Sequence, residues 1–356
     1  MKQGWRTCAI GRHLVDLPAE AATVETYKYN EVKIELLPEI KTQADFDHLI
    51  SGRERQLRAT RHTSKHEQDQ ERKFERKLWE LRHQQEERAW RQIAVPVSEQ
   101  ERELEQKREL ERQLHEFQRN TGDSMFIDRV THANGSVTLI SWNRPTGNIL
   151  YRFDTYFRVG SKSVKYSGEV SPDRRATALA LRQDLSREWR EIASGELLAG
   201  IGFVADDVML VDRDFNLESW ELNIRLPDKP DVWLRLTAYA QESVGPGLRA
   251  RAGGILPALL GAVAGVGQLR NRARPVGPIE ADEILVAGTQ DGKRTYGFKW
   301  EAPGKAYSLA EPNLNASLRV GESAYPTNKE SFANDGEALE LWDAVVDSIR
   351  LRPGAV

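Results

Sequence analysis

An α+β fold is predicted: two tandem similar lobes, each an antiparallel sheet with helices packed on it, with a long charged helical hairpin set into the first. Three observations predict it. Each half of the 356 residues opens with a short glycine-led apolar strand, at Gly11 and again at Gly202. Each closes with an amphipathic helix around a tryptophan, Trp189 in residues 178–193 and Trp342 in residues 337–351. Between these landmarks, from about 51 to 119, nearly every second residue is charged and the signs are mixed. The lobes are expected at 1–193 and 195–356, joined through Ser194-Gly195-Glu196. Two domains also suit a length beyond what one hydrophobic core ordinarily organises.

In the first lobe, residues 11–18 form a strand, and Val32, Ile34 and Leu36 alternate onto one face of another. Thr42 with Asp45 makes a capping box that starts the charged helical region. Ser98 with Glu101 restarts it after Val95-Pro96-Val97, where proline denies the helix an N–H. Phe74, Leu78 and Leu81 in one arm and Leu110, Leu114 and Phe117 in the other fall at helical spacing, so an antiparallel pair buries one narrow seam. Asn134-Gly135 is read as a tight hairpin turn with both residues at positive φ. Strands at 149–159 and 164–170 follow, and Ser171 with Pro172 starts the closing helix.

The second lobe answers with strands at 208–212 and 222–227. Residues 253–267 are apolar on all sides and rich in glycine and alanine, with Gly261 and Gly265 at the spacing of close-packed membrane helices. A bilayer span needs about 20 apolar residues, so a buried helix is the expectation here, with membrane contact or a partner-facing loop as alternatives. Asp291-Gly292 joins strands at 284–286 and 296–300, a strand follows at 314–320, and Asn334 with Glu337 caps the last helix.

Composition narrows the function. Fifty-one basic against 54 acidic residues leave a net charge of −3, so no global basic field argues for nucleic acid. A single cysteine, Cys8, fits a reducing compartment and equally a periplasmic protein without bridges. It reads as a small packed residue rather than a nucleophile. The start Met1-Lys2-Gln3-Gly4-Trp5 lacks the apolar core of a secretory leader, so the expectation is a cytoplasmic protein or one whose leader is absent from this sequence.

No constellation for catalysis is found. Neither a nucleophile elbow nor a phosphate-cradling glycine loop occurs, and no cofactor or metal is predicted. His62 and His66 stand four apart, yet no third ligand accompanies them. Asp206, Asp207, Asp212 and Asp214 lack the spacing of a calcium loop and are read as strand-end charges or as a face for a basic patch on a partner. Trp142 and Arg144 leave a strand into a turn, and Trp233 follows a proline-rich corner, so both tryptophans are expected near sheet edges where a partner reaches them. Tryptophan and arginine anchor protein interfaces, so Trp142, Arg144, Asp206, Asp207 and Trp233 are the candidate partner-binding residues, with burial within the lobe as the alternative for each tryptophan.

Residues 8–21, Gly200-Ile201-Gly202-Phe203, residues 218–230 and the ending 341–353 resemble the immunity proteins that neutralise type VI secretion lipase effectors of the fourth class. The likeness spans nearly the whole chain and carries no catalytic residue. It implies a periplasmic protein whose two lobes grip a toxic phospholipase in a one-to-one complex and hold its cap closed, with no turnover of its own and no stable membrane span. The competing reading is a membrane-associated envelope scaffold, motivated by 253–267 and the arginines flanking it.

Overall fold

The computed structural model describes residues 3–147, 150–193, 199–252, 266–290, 293–320 and 331–356. In chain order come strands β1 Trp5–Ile10, β2 His13–Pro18, β3 Ala22–Tyr29 and β4 Val32–Leu36. Helix α1 Gln43–Ala59 and the short strand β5 Arg61–His62 precede the hairpin helices α2 Lys65–Trp90 and α3 Val97–Asn120. Strands β6 Asp123–Ser124, β7 Phe126–Thr131, β8 Val137–Trp142, β9 Tyr151–Val159 and β10 Lys162–Val170 lead to helix α4 Arg175–Glu188. Then follow β11 Trp189–Glu191, β12 Phe203–Ala205, β13 Val208–Leu210, β14 Ser219–Leu226 and β15 Lys229–Tyr239. The last elements are the short helix α5 Leu248–Ala252, β16 Val266–Ala273, β17 Asp282–Gln290, β18 Lys293–Ala302, β19 Asn313–Val320, helix α6 Asp335–Asp347 and β20 Arg350–Leu351. The α+β class and the charged helical hairpin are as the sequence predicts.

The chain forms two compact units, residues 1–41, 157–166 and 184–356 in the first and residues 42–156 and 167–183 in the second. They do not coincide with 1–193 and 195–356. The physical reason is pairing across the sequence: β3 lies antiparallel to β14, Ser219 opposite Lys28 through Arg225 opposite Ala22. A boundary at 194 would part these strands.

In the first unit the main sheet runs β16-β17-β18-β19-β15-β14-β3-β4-β10. Its alternation sends Leu222, Ile224, Leu234, Leu236, Phe298 and Leu318 inward, where they are buried. Helix α6 brings Trp342, Val345 and Val346 into the same core, with the Trp342 ring edge-on to Phe298 at 5.6 Å. Asn334 caps this helix by accepting from the Glu337 amide at 3.0 Å, as expected. The arginines beside 253–265 are internal partners here: Arg270 reaches Asp343 at 2.6 Å and Arg274 reaches Asp347 at 2.8 Å. Residues 253–265, Ser194-Gly195-Glu196 and Asp291-Gly292 lie outside the described residues, while Val266 and Gly267 open a strand rather than end a helix.

Both ends of the chain close on one buried knot in this unit. Arg12 donates to the Glu218 carboxylate at 2.8 and 3.0 Å and to the Ala355 carbonyl at 2.6 Å. Arg352, fully buried, donates to the Gly200 carbonyl at 2.6 Å and to that of Gly202, and its own amide donates to Arg12 at 2.8 Å. Gly11, at φ 55°, exchanges two 2.9 Å backbone bonds with Val204, and an added Cβ would meet Trp220 at 2.2 Å. Glycine is therefore required at the strand opening that the sequence marked. His13, tilted against Trp220 at 5.9 Å, is buried with neither ring nitrogen paired among the described residues.

The second unit packs α1 and α4 with the antiparallel strands β7, β8 and the start of β9. Thr42 and Asp45 form the expected capping box. Helix α1 stops at Ala59, however, and the first arm begins afresh at a second capping box, Ser64 with Glu67, which the sequence reading passed over. The second arm starts at Val97 with Pro96 as its N-cap, without a side-chain cap bond, two places before the expected Ser98; the Pro96 carbonyl accepts the first helical bond, from the Gln100 amide at 3.1 Å. The predicted seam forms: Leu78 and Leu110 are buried and Phe74 meets Phe117 at 5.7 Å. Across it Gln118 donates to Glu71 at 2.6 Å and Arg82 faces Glu111 at 3.5 Å.

Other local readings shift. The Asn134-Gly135 turn is wider than a two-residue hairpin, since Thr131 pairs with Val137, the His132 amide donates to Ser136, and only Gly135 has positive φ. Trp189 opens strand β11 instead of sitting in the closing helix, which ends at Glu188. Ser171 precedes a 3₁₀ turn at Pro172–Arg174 and makes no side-chain cap.

Glu218→Ala leaves the Arg12 charge buried and unpaired, so it should cost about 3–5 kcal/mol in urea unfolding, and the double replacement Arg12→Met with Glu218→Leu should recover much of that loss. A second test uses pH. Burial, with Arg12 and Arg352 nearby, lowers the His13 pKa from 6.5 to about 4. The unfolded chain then binds a proton that the folded chain refuses, so this contribution is complete above 6.5 and lost as pH falls toward 4. Thermal unfolding between pH 7 and 4.5 should show His13→Gln losing less stability on acidification than the parent, the difference being on the order of 3 kcal/mol.

Candidate partner-binding face

The same alternation that fills the core of the first unit leaves one broad sheet face outward. Register lines it up in rows. One row runs Val24, Asn223, Arg235, Ser317 and Lys299 across five adjacent strands. The next places Trp233 opposite Arg319 and Arg319 opposite Gly297, with Arg225 at the end of β14 beside them. Trp233 is 56% exposed and Val24 65% exposed, unusual for large apolar side chains.

These rows enclose a hollow of about 780 Å³ lined by Val24, Asn223, Arg225, Trp233, Arg235, Ser317 and Arg319, with Ile224 and Leu234 beneath. Its three charged lining residues are all arginines. The Arg225 guanidinium lies 3.5 Å from the centre of the Trp233 ring, a cation–π stack that holds both side chains in place. Arg235 is paired with Glu221. Neither Arg225 nor Arg319 has a carboxylate partner among the described residues.

Trp233 was expected near a sheet edge. It stands instead on β15, flanked by β14 and β19. Arg225, Arg235, Arg319 and Val24 were missed by the sequence reading, although a pattern marks the arginines: Ile224-Arg225-Leu226, Leu234-Arg235-Leu236 and Leu318-Arg319-Val320 each set one arginine between two core aliphatics.

Asp206 and Asp207 form the turn between β12 and β13 and line a smaller hollow with Leu37, Ile40 and Lys162. Asp206 takes φ 54°, and its amide donates to the Tyr27 hydroxyl at 3.1 Å. Burial, then the Asp207 charge, pushes its carboxyl above the usual range. Asp207 is engaged by Lys162 at 2.5 Å, and Asp212 accepts from the Tyr29 hydroxyl, so half of the acidic cluster already has partners within the unit.

In the second unit, Trp142 ends β8 and stacks on the buried His62 ring at 4.4 Å and 9°, with Tyr151 edge-on at 5.2 Å. It is a half-buried packing residue, while Arg144 on the turn beyond is exposed. His62 lies on β5 and His66 on α2, so the two histidines do not share a helical turn. No group of three or more metal-ligating side chains occurs among the described residues. Cys8 is partly exposed and accepts from Arg6 at 3.1 Å, with burial holding its thiol above the usual pKa.

Residues 200–354 match the family model described as Tle cognate immunity protein 4 C-terminal domain. Three solved structures are similar over nearly the full length. The apo structure of immunity protein TplEi of the type VI system of Pseudomonas aeruginosa is 29% identical, covers 99% of both chains and superposes with a TM-score of 0.77. The crystal structure of the Tle4-Tli4 complex gives 28% identity, complete coverage of both chains and a TM-score of 0.78. TplEi complexed with "L" peptide gives 28%, 99% of this chain, 100% of that one and 0.72. Among curated proteins none matches.

The two tryptophans should separate by stability. Trp233→Ala removes an outward side chain and should change the melting free energy by about 0.5 kcal/mol or less, whereas Trp142→Ala strips the cover from His62 and should cost about 1–3 kcal/mol by denaturant titration.

Proposed function

We propose that this chain, which belongs to the type VI secretion lipase immunity family, acts as a stoichiometric inhibitor that binds a cognate lipase effector one-to-one and has no turnover of its own. The observation that carries this reading is the full-length likeness to the Tle4-Tli4 complex, reinforced by an outward sheet face that holds arginine and tryptophan without any catalytic grouping. Inhibition needs no contact with the catalytic serine of such a lipase. It is enough to bind a closed cap better than an open one, and a shift from 1:99 to 99:1 takes about 5.5 kcal/mol of differential affinity. An interface of standard size supplies this.

Contact residues fall in separate patches on the chain. Trp233 belongs to one, Asp206 and Asp207 to another, and the exposed Arg144 to a third, with Trp142 packed behind it; a binder that engages more than one gains from the high effective concentration of the second contact. We place the protein in the periplasm, where an effector delivered into the envelope would meet it. No helix of the described residues is long and apolar enough to cross a membrane.

The test is phospholipase activity titrated with purified chain, using the lipase encoded beside it. Activity should reach zero at one equivalent, and the chain alone should release no fatty acid. Inhibition that is absent at tenfold excess, or phospholipid hydrolysis by this chain, defeats the proposal.

A further inference from the structure

The geometry points to the Trp233 hollow as a receptor for a carboxylate that sits next to an apolar side chain on the effector, an inference that rests on the inhibitory reading above and names the chemistry of its contact. Charge carries the argument. The protein as a whole is slightly acidic, at −3, yet among the described residues every charged side chain lining this hollow is an arginine. Clustered like charges raise one another's energy and are tolerated where an opposite charge completes them.

The arginines are not equivalent. Arg235 is neutralised by Glu221, which leaves Arg225 and Arg319 on either side of Trp233 as the two without a carboxylate partner among the described residues. Arg225 is already ordered by its 3.5 Å stack on the indole, so its fork binds with little further loss of side-chain freedom. Arg319 stands opposite Gly297, which carries no side chain, and the neighbour over that position is the apolar Val286, 3.3 Å from where a Cβ would lie, which offers the guanidinium no counter-charge. A planar fork recognises a carboxylate through two parallel N–H bonds, so an aspartate or glutamate suits these positions. The exposed edge of Trp233 and the 65% exposed Val24 offer the apolar contact beside it. Asn223 and Ser317, in the row between, supply neutral donors and acceptors for the backbone of an extended segment.

The experiment measures calorimetric affinity for the purified neighbouring lipase, with circular dichroism confirming that each outward substitution leaves the fold intact. Arg319→Glu with Arg225→Glu should weaken binding at least about thirtyfold and Trp233→Ala about tenfold, while Arg319→Lys, which keeps charge but loses the fork, should fall between parent and reversal. Raising NaCl from 50 to 300 mM should weaken the parent complex more than the double charge-reversal variant. If the parent binds and both the double reversal and Trp233→Ala bind equally well, the hollow is not the contact and this inference fails while the inhibitory reading stands. If the parent itself does not bind, the inhibitory reading fails and this inference with it. Flotation of the parent with phosphatidylglycerol vesicles, abolished by the same reversals that leave lipase affinity unchanged, would reassign the hollow to an anionic lipid and overturn the proposal.

Discussion

A buried ion pair between residues 206 positions apart organises the first unit. Arg12 and Glu218 meet through two hydrogen bonds in a place where either alone would be an unpaired buried charge. Burial pushes the Glu218 carboxyl up and the Arg12 guanidinium opposes that shift, so each group replaces part of the solvation the other has lost. The backbone around them is fixed to match. Gly11 bonds Val204, β20 pairs with β2, and Arg352 fastens the loop carbonyls of Gly200 and Gly202. With β3 beside β14 in register, the outward rows that carry Val24, Asn223 and Trp233 follow from this closure.

The outward face differs in kind from the charged hairpin, although both expose tryptophan. On α2 and α3 both signs of charge are interspersed and several arginines meet glutamates, as Arg88 does between Glu99 and Glu103. Trp79 stacks on His83 at 4.8 Å, and Trp90 near the bend is 84% exposed. In the sheet hollow the positive charges share one sign and surround an aromatic ring. A polar surface of the first kind stays solvated at little cost; one of the second kind gains from a partner that removes both the unmet charge and the exposed ring.

Much of the fold was legible because the signals are local. The capping box at Thr42, the N-cap at Asn334, the heptad-like seam around Leu78 and Leu110, and the alternation at 222–226 all depend on residues a few positions apart. What escaped depends on pairing partners far away. That 1–41 joins 184–356 requires β3 to find β14, and no short-range pattern announces it. The candidate site divides in the same way. Trp233 could be named from its own residue type, but its placement on an interior strand, and the arrival of Arg225 and Arg319 around it, come from registers on both sides. Trp142 shows the converse, since a strand-end tryptophan that reads as an anchor is claimed by His62 and Tyr151.

The knot at Arg12 also sets a schedule. Its partners Glu218 and Ala355 lie 206 and 343 positions further along the chain, and contacts of such long sequence separation form slowly because their loop entropy is lost before they are rewarded. During synthesis, β2 and Arg12 therefore remain without these neighbours until residues 350–355 have emerged. The second unit has no such dependence, since residues 42–156 and 167–183 complete it well before the end. A nascent chain of this design carries one finished body and one unfinished one for part of its emergence, a period in which a chaperone has open strands to hold.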